Sequence, residues 1–185
     1  MLRLDPERSL VVVHVYRGGR LALFGHDHVV ASRDIHGYVL FPPDLTDARA
    51  DLYVVLNTLS VDEAGLRAQA GFETTPTADD IAGTRRNMLD KTLVAHHFPF
   101  AVIQLRNAAG DLPVLRLQAN IELHGRIHRQ EVPVTIDTGG DELRAQGHFA
   151  LLQTDFGITP LSILGGALQV QDRVEIAFDL IARRF

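Results

Sequence analysis

The chain has no cysteine and no tryptophan, and Lys91 is its single lysine. Without thiols there is no disulfide framework, no thiolate nucleophile and no Cys-based zinc or iron–sulfur site. With one lysine, and arginines scattered apart from the Arg85-Arg86 and Arg183-Arg184 doublets, no basic stripe exists to neutralise phosphates. The net charge of −5 points the same way, so nucleic acid is not an expected partner. Long apolar runs are also missing. Nothing approaches the ~20 residues of a membrane-spanning helix, so the chain is not expected to be transmembrane. The run Leu10 to Val13, broken by His14, is shorter than the roughly 7 to 15 residues of a secretory leader's apolar region. As written, the chain is expected in the cytoplasm; a periplasmic location would need a leader to have been removed.

Catalytic signatures are equally scarce. Ser9, Ser32, Ser60 and Ser162 lie in no Gly-x-Ser-x-Gly context. Gly165-Gly166, in "LSILGGALQV", lacks the lysine of a phosphate loop and the third glycine of a dinucleotide fingerprint, and reads as a loop folding across one end of a barrel.

What the chain does have is alternation. Leu115, Leu117, Ala119, Ile121 and Leu123 share one phase, while Arg116, Gln118, Asn120, Glu122 and His124 share the other, the pattern of a strand buried on one face. Val174, Ile176, Phe178 and Leu180 repeat it against Arg173, Glu175 and Asp179. Similar strands fit 9–16, 29–40, 50–59, 100–106, 130–137 and 143–151. They are separated by turn chemistry at 17–20, 41–44, Ala109-Gly110-Asp111, 124–126 and 138–141.

One segment has a different period. Thr77 followed by Asp79 and Asp80 is a helix start, and Ile81, Met88, Leu89, Leu93 and Val94 recur at helical spacing until His96-His97-Phe98-Pro99 ends the run. At 185 residues, with 46% apolar and 22% charged residues, the chain reads as one domain, 1–185. About eight antiparallel strands must manage their edges, and the simplest solution is a closed up-and-down β-barrel, lipocalin-like, with one helix closing an end. The inward phase is rich in Leu, Ile, Val and Ala and poor in rings, which favours a cavity over a filled interior.

The most chemical-looking stretch is Phe24 to Val30, "FGHDHVV". His26 and His28 lie two apart, so in an extended chain both leave on one face, about 6 to 7 Å apart at their roots and able to share a metal. Further ligands would have to come from other strands, with His148, His96 and His97 the first to check and His124 and His128 also available. The preferred reading is structural. Gly25 supplies a backbone geometry other residues resist, Asp27 accepts from backbone amides or an arginine, and one histidine packs half-buried at the barrel mouth. His124 to His128 reads as a hairpin around Gly125, and His96-His97 as a helix end.

The order of segments is more specific than any one of them. The sequence runs through "FGHDHVV", "IHGYV", "LYVVLNTLSVDE", "NMLDKTLVAHHFPFAVIQL", "LQANIELHGRIHRQEVPVTI", "GHFALLQTDFGI" and "VQDRVEIAFDLIA", with Gly125, Asp155-Phe156-Gly157-Ile158 and Asp172-Val174 at the family's spacing. In this it resembles the YceI-like family over nearly its whole length, the Gly-His-Asp segment being similar to that of one branch. The resemblance implies a lipocalin-like barrel that binds polyisoprenoid or other long-chain lipids through inward strand positions and the helix at one end, not through a catalytic motif.

The expectation is therefore a non-enzymatic carrier enclosing a long apolar ligand such as a polyisoprenoid, a quinone tail or a fatty amide or acid. Its wall residues are Val54, Leu56, Leu115, Leu117, Ile121, Val174, Ile176 and Phe178, with Met88 and Leu89 near the opening. No cofactor is expected beyond such a lipid, and no zinc. The alternatives are a metal-dependent hydrolase built on His26, Asp27 and His28, and a filled barrel serving as a stress or interaction module. Whether two chains associate as a homodimer stays open.

Overall fold

The computed structural model describes residues 1–184. Twelve β segments form a single antiparallel sheet that closes on itself. The first six are β1 (Leu2–Leu4), β2 (Leu10–Gly18), β3 (His28–Ser32), β4 (Ile35–Leu40), β5 (Arg49–Val55) and β6 (Ser60–Val61). Two helices follow, α1 (Ala64–Gln69) and α2 (Ala78–Asn87). The remaining segments are β7 (Phe100–Asp111), β8 (Val114–Leu123), β9 (Arg126–Gly139), β10 (Glu142–Leu152), β11 (Ser162–Ile163) and β12 (Leu168–Arg183).

The register resolves these segments into eight staves. Val11 of β2 stands opposite Ser32 of β3, and Leu2 of β1 opposite Val39 of β4, so residues 2–18 and 28–40 are one long hairpin interrupted partway. β3 pairs with β6 and β4 with β5 in the same manner, which carries the interruption into a third stave. From there β7, β8, β9, β10 and β12 each pair with the next, and β12 returns to β1 and β2 with Leu4 opposite Ala182 and Val11 opposite Phe178. Among the described residues the ring closes through β1, β4, β5, β7 to β10 and β12, which answers the edge problem set by so many strands, and leaves two-residue β6, paired with β3, as a short edge at the mouth end. β11 pairs only with the start of β12.

The interruptions at 5–9, 33–34 and 56–59 lie side by side and make a seam across three staves. Part of it is mended by side chain and loop contacts: the Ile181 amide donates to Ser9 Oγ at 3.0 Å, and the Val55 amide donates to the Asp34 carbonyl at 3.1 Å.

The inward phase of β8 is buried as its alternation predicts, with Leu115, Leu117, Ala119 and Ile121 in the main core beside Leu52, Val54, Val132, Val134 and Leu143. β7 is longer than expected. It runs through Ala109-Gly110-Asp111 by way of a register shift between Arg106 and Ala109, with Asn107 at φ 54°, and the turn falls on Leu112-Pro113. The β8–β9 turn places His124 and Gly125 at φ 53° and 72°, the mirror-image geometry that matches strand twist in a two-residue hairpin.

The expected helix is present as α2, opened by a reciprocal capping box. The Asp80 amide donates to Thr77 Oγ1, and the Thr77 amide donates to the Asp80 carboxylate. It continues as a single wider turn over Met88–Thr92. The second helix, α1, lies outside the barrel. Leu66, Ala70 and Phe72 cover Leu10, Val12, Val29 and Ala31, the outward residues of β2 and β3, and form a small satellite core.

Candidate binding cavity and its polar mouth

The helix and the loops 19–27, 62–99, 124–125 and 153–167 all gather at one end of the barrel. Toward the other end the interior is packed solid around Leu4, Leu115, Leu143, Leu180 and Ala182, leaving a void of only about 60 Å³. Between them lies an apolar cavity of about 300 Å³, at the small end of the range for enclosed ligands. On β12 its wall runs from Val170 to Leu180, roughly 33 Å of strand, so the space is long and narrow.

Six of the eight expected wall residues line this cavity, Val54, Leu56, Ile121, Val174, Ile176 and Phe178, as does Met88, one of the two expected near the opening. Leu115 and Leu117 do not; they start β8 at the solid end and border the smaller void. Leu89, the next residue along the wider turn, leaves on a different side from Met88 and packs with Val30, Leu56, Leu59, Val61 and Ala95.

Sequence reasoning missed Val11, Val13 and Val15, which line the cavity from β2. Their run, "LVVVHVY", shows no alternation because α1 covers its outer face too, so both phases are apolar. These valines, with Val174, Ile176 and Phe178, point inward yet are only half-buried, because what they face is space.

The "FGHDHVV" stretch sits at the mouth and is tied into the fold by hydrogen bonds. The Arg17 amide donates to Asp27 Oδ1 at 2.9 Å, and Arg67 donates to the Asp27 carbonyl at 2.6 Å. His28 Nδ1 lies 2.7 Å from Asp62 Oδ2. A carboxylate cannot donate, so Nδ1 carries the proton and Nε2 is left as the ring's remaining polar atom. The fully buried Asp62 carboxylate also accepts from the Val29 amide at 3.1 Å and from Arg67 at 2.7 Å. Burial pushes this carboxyl up, but the bonds from His28, Val29 and Arg67 outweigh it and hold it below the usual carboxylate range. Asp80, at the start of α2, is also held low, by the Thr77 amide and hydroxyl and, to a smaller extent, by the nearby His26 and His28.

Gly25 is not there for its backbone angles. Its φ of −105° and ψ of −176° suit any residue, but a Cβ would stand 2.8 Å from Leu168 Cδ1, so glycine serves close approach. The hydrolase alternative needs third and fourth metal ligands beside His26 and His28. His96, His97 and His148 are exposed, His148 on the outer face of β10, and no group of three or more His, Asp or Glu is placed to hold a metal among the described residues.

The fold is shared with solved structures. Burkholderia cenocepacia BcnA superposes with a TM-score of 0.71 at 15% identity, covering 96% of this chain and 98% of that one. A polyisoprenoid-binding domain from Saccharophagus degradans, implicated in plant cell wall breakdown, gives 0.67 at 13% identity over 100% and 98%. The Campylobacter jejuni YceI protein gives 0.58 at 12% identity over 82% of each chain. A 71-residue stretch is also 32% identical to ribosomal RNA large subunit methyltransferase K/L of S. degradans, spanning 37% of this chain but 9% of that protein. The YceI-like domain model matches residues 3–182, and with the closed eight-stave barrel this places the chain in the YceI-like family.

Proposed function

We propose that this protein is a carrier that encloses one long apolar molecule, a polyisoprenoid or a fatty chain, inside its barrel and performs no chemistry on it. The observation that carries this reading is the long cavity walled by valine, leucine, isoleucine and alanine, hollow at the helix end and solid at the other. The polyisoprenoid-binding description of the S. degradans neighbour supports the same ligand class. About ten enclosed methylenes would contribute roughly 8 kcal/mol before the cost of ordering ligand and loops, so micromolar binding needs no charged anchor. Leu23, Phe24 and Leu164 stand 88%, 79% and 71% exposed on the loops at the mouth, and such a rim shortens the stretch of water an apolar chain must cross on entry.

The test is mass spectrometry of an organic extract from protein purified without denaturant. A long-chain molecule in near-stoichiometric amount is the expected result. Clean extracts, together with no uptake of any long-chain probe by the folded protein, would sink the reading.

A further inference from the structure

The cavity wall is apolar with few exceptions. His28, Thr84, Thr92 and Gln153 are at the helix end, where solvent and loop groups can serve them. Ser32 is different. It is 2% exposed, lines the cavity, and its Oγ has no hydrogen-bond partner among the described residues. Its place on β3 is four residues beyond His28 on the same inward face, about 13 Å of strand deeper. It stands opposite Val11, which in turn stands opposite Phe178, the ring that borders both the cavity and the small void.

The other deeply buried serine shows how this fold treats such a group. Ser9, equally buried, exchanges bonds with the Ile181 amide and carbonyl. A buried hydroxyl without a partner is unfavourable, and an alanine or valine would fit a strand wall of this kind better. A hydroxyl facing the inside of a binding cavity is satisfied when the occupant brings the partner.

We infer that the occupant is not a bare hydrocarbon: it carries a carbonyl oxygen, as a quinone, a ketone, a fatty amide or an ester does, and that oxygen accepts a hydrogen bond from Ser32 deep in the barrel while the chain runs back toward the mouth. This rests on the carrier reading above and adds the chemical class and the direction of insertion. Among the described residues lining the cavity, the Ser32 hydroxyl is the one donor away from the mouth, and it selects between chains of equal apolar area by what a single oxygen contributes.

The experiment uses two probes of the same shape, pentadecyl methyl ketone and its methylidene analogue, in which a C=CH2 group replaces C=O. Each is titrated by displacement of a fluorescent fatty probe from the full chain, wild type, Ser32→Ala and Ser32→Thr. Wild type should prefer the ketone over the analogue more strongly than Ser32→Ala does, by about five- to tenfold, with Ser32→Thr retaining the preference. The C=O stretch of the bound carbon-13-labelled ketone should lie at lower frequency in wild type than in Ser32→Ala. An unchanged ratio, with both probes bound, would overturn the role of Ser32 and mean its hydroxyl holds water only. Failure of both probes to bind wild type would instead overturn the carrier reading beneath it.

Discussion

His28 and Asp62 are 34 positions apart in sequence and meet at 2.7 Å, Nδ1 to Oδ2, at the point where β3 and the residue after β6 come together beneath the barrel mouth. The pair is a fastener. Through Asp62 it also joins Arg67 of α1, which bonds onward to the carbonyls of Asp27 and Thr74, so one buried carboxylate links the barrel, the outer helix and the mouth loop.

Removing that charge should therefore loosen all three. Asp62→Asn is the suitable variant, because Asp62 sits at φ 56° and asparagine tolerates this backbone. It leaves Arg67 buried without its counter-charge, and a loss of about 3 kcal/mol in urea unfolding at neutral pH is expected. The Asp62 carboxyl is held low in the folded state, so its stabilisation is present in full above about pH 4 and is lost as pH falls through the lowered folded value. The gap between wild type and variant should narrow below pH 4. A gap that is unchanged there would show that the carboxylate's charge contributes nothing.

The hollow and solid halves should respond oppositely to added bulk. Val174 faces the cavity and Leu115 the packed end. Val174→Phe should fold with little change in melting temperature and bind a fluorescent fatty probe at least about tenfold more weakly. Leu115→Phe should cost about 1 to 3 kcal/mol in stability and leave uptake nearly intact. Equal destabilisation by both would mean that no space exists beside Val174.

The capping box at Thr77 and Asp80 holds the start of the helix that roofs the cavity. Thr77→Ala removes the bond to the Asp80 amide and should destabilise the helix start by about 1 kcal/mol. Because Thr84 and Met88 of this helix and its extension line the cavity, stopped-flow release of a bound probe should accelerate while the barrel's β-sheet circular dichroism stays as it was. Unaltered release would separate the roof from the exit route.

Gly147 makes room for a ring. A Cβ there would lie 2.4 Å from the Pro133 carbonyl oxygen and 2.5 Å from Phe178 Cζ. Gly147→Ala should cost about 2 kcal/mol and move the Phe178 ring, visible as shifted aromatic resonances. Full stability in the variant would show that the β9 backbone yields easily at this point.

Much of this was legible in the residues, and the boundary follows from physics. Alternation on β8 and β12 revealed strands and phase because each has one wet face. The capping box revealed α2, since its bonds join residues three apart. "LVVVHVY" concealed the inward valines because α1 buries the opposite face as well. α1 itself, at six residues, carries too short a period to register. Asp62 and Arg67 gave no local sign: they pair with each other at a spacing of five, which matches neither a strand nor a helix period, and their other contacts at Asp27, His28 and Val29 lie more than thirty residues away. Depth was the other blind spot: Leu115 and Ile121 share a phase on β8, and only the closed register shows that one meets packed core and the other open space.

The seam across the first three staves bears on how the wall moves. A continuous ladder would make each stave a single rigid strip, but at 5–9, 33–34 and 56–59 that ladder gives way to short turns and to bonds such as that of Ser9. Amide protons along this line are expected to exchange with deuterium sooner than those of β8 or β9, where pairing runs unbroken from Leu123 to Val114. The seam abuts Ser32, Leu56 and Leu59 of the cavity wall. The part of the wall made of β2, β3 and β6, which ends at β6 paired only with β3, is therefore expected to be the more pliable, and the part made of β1, β4 and β5, closed through β12 and β7, the stiffer base.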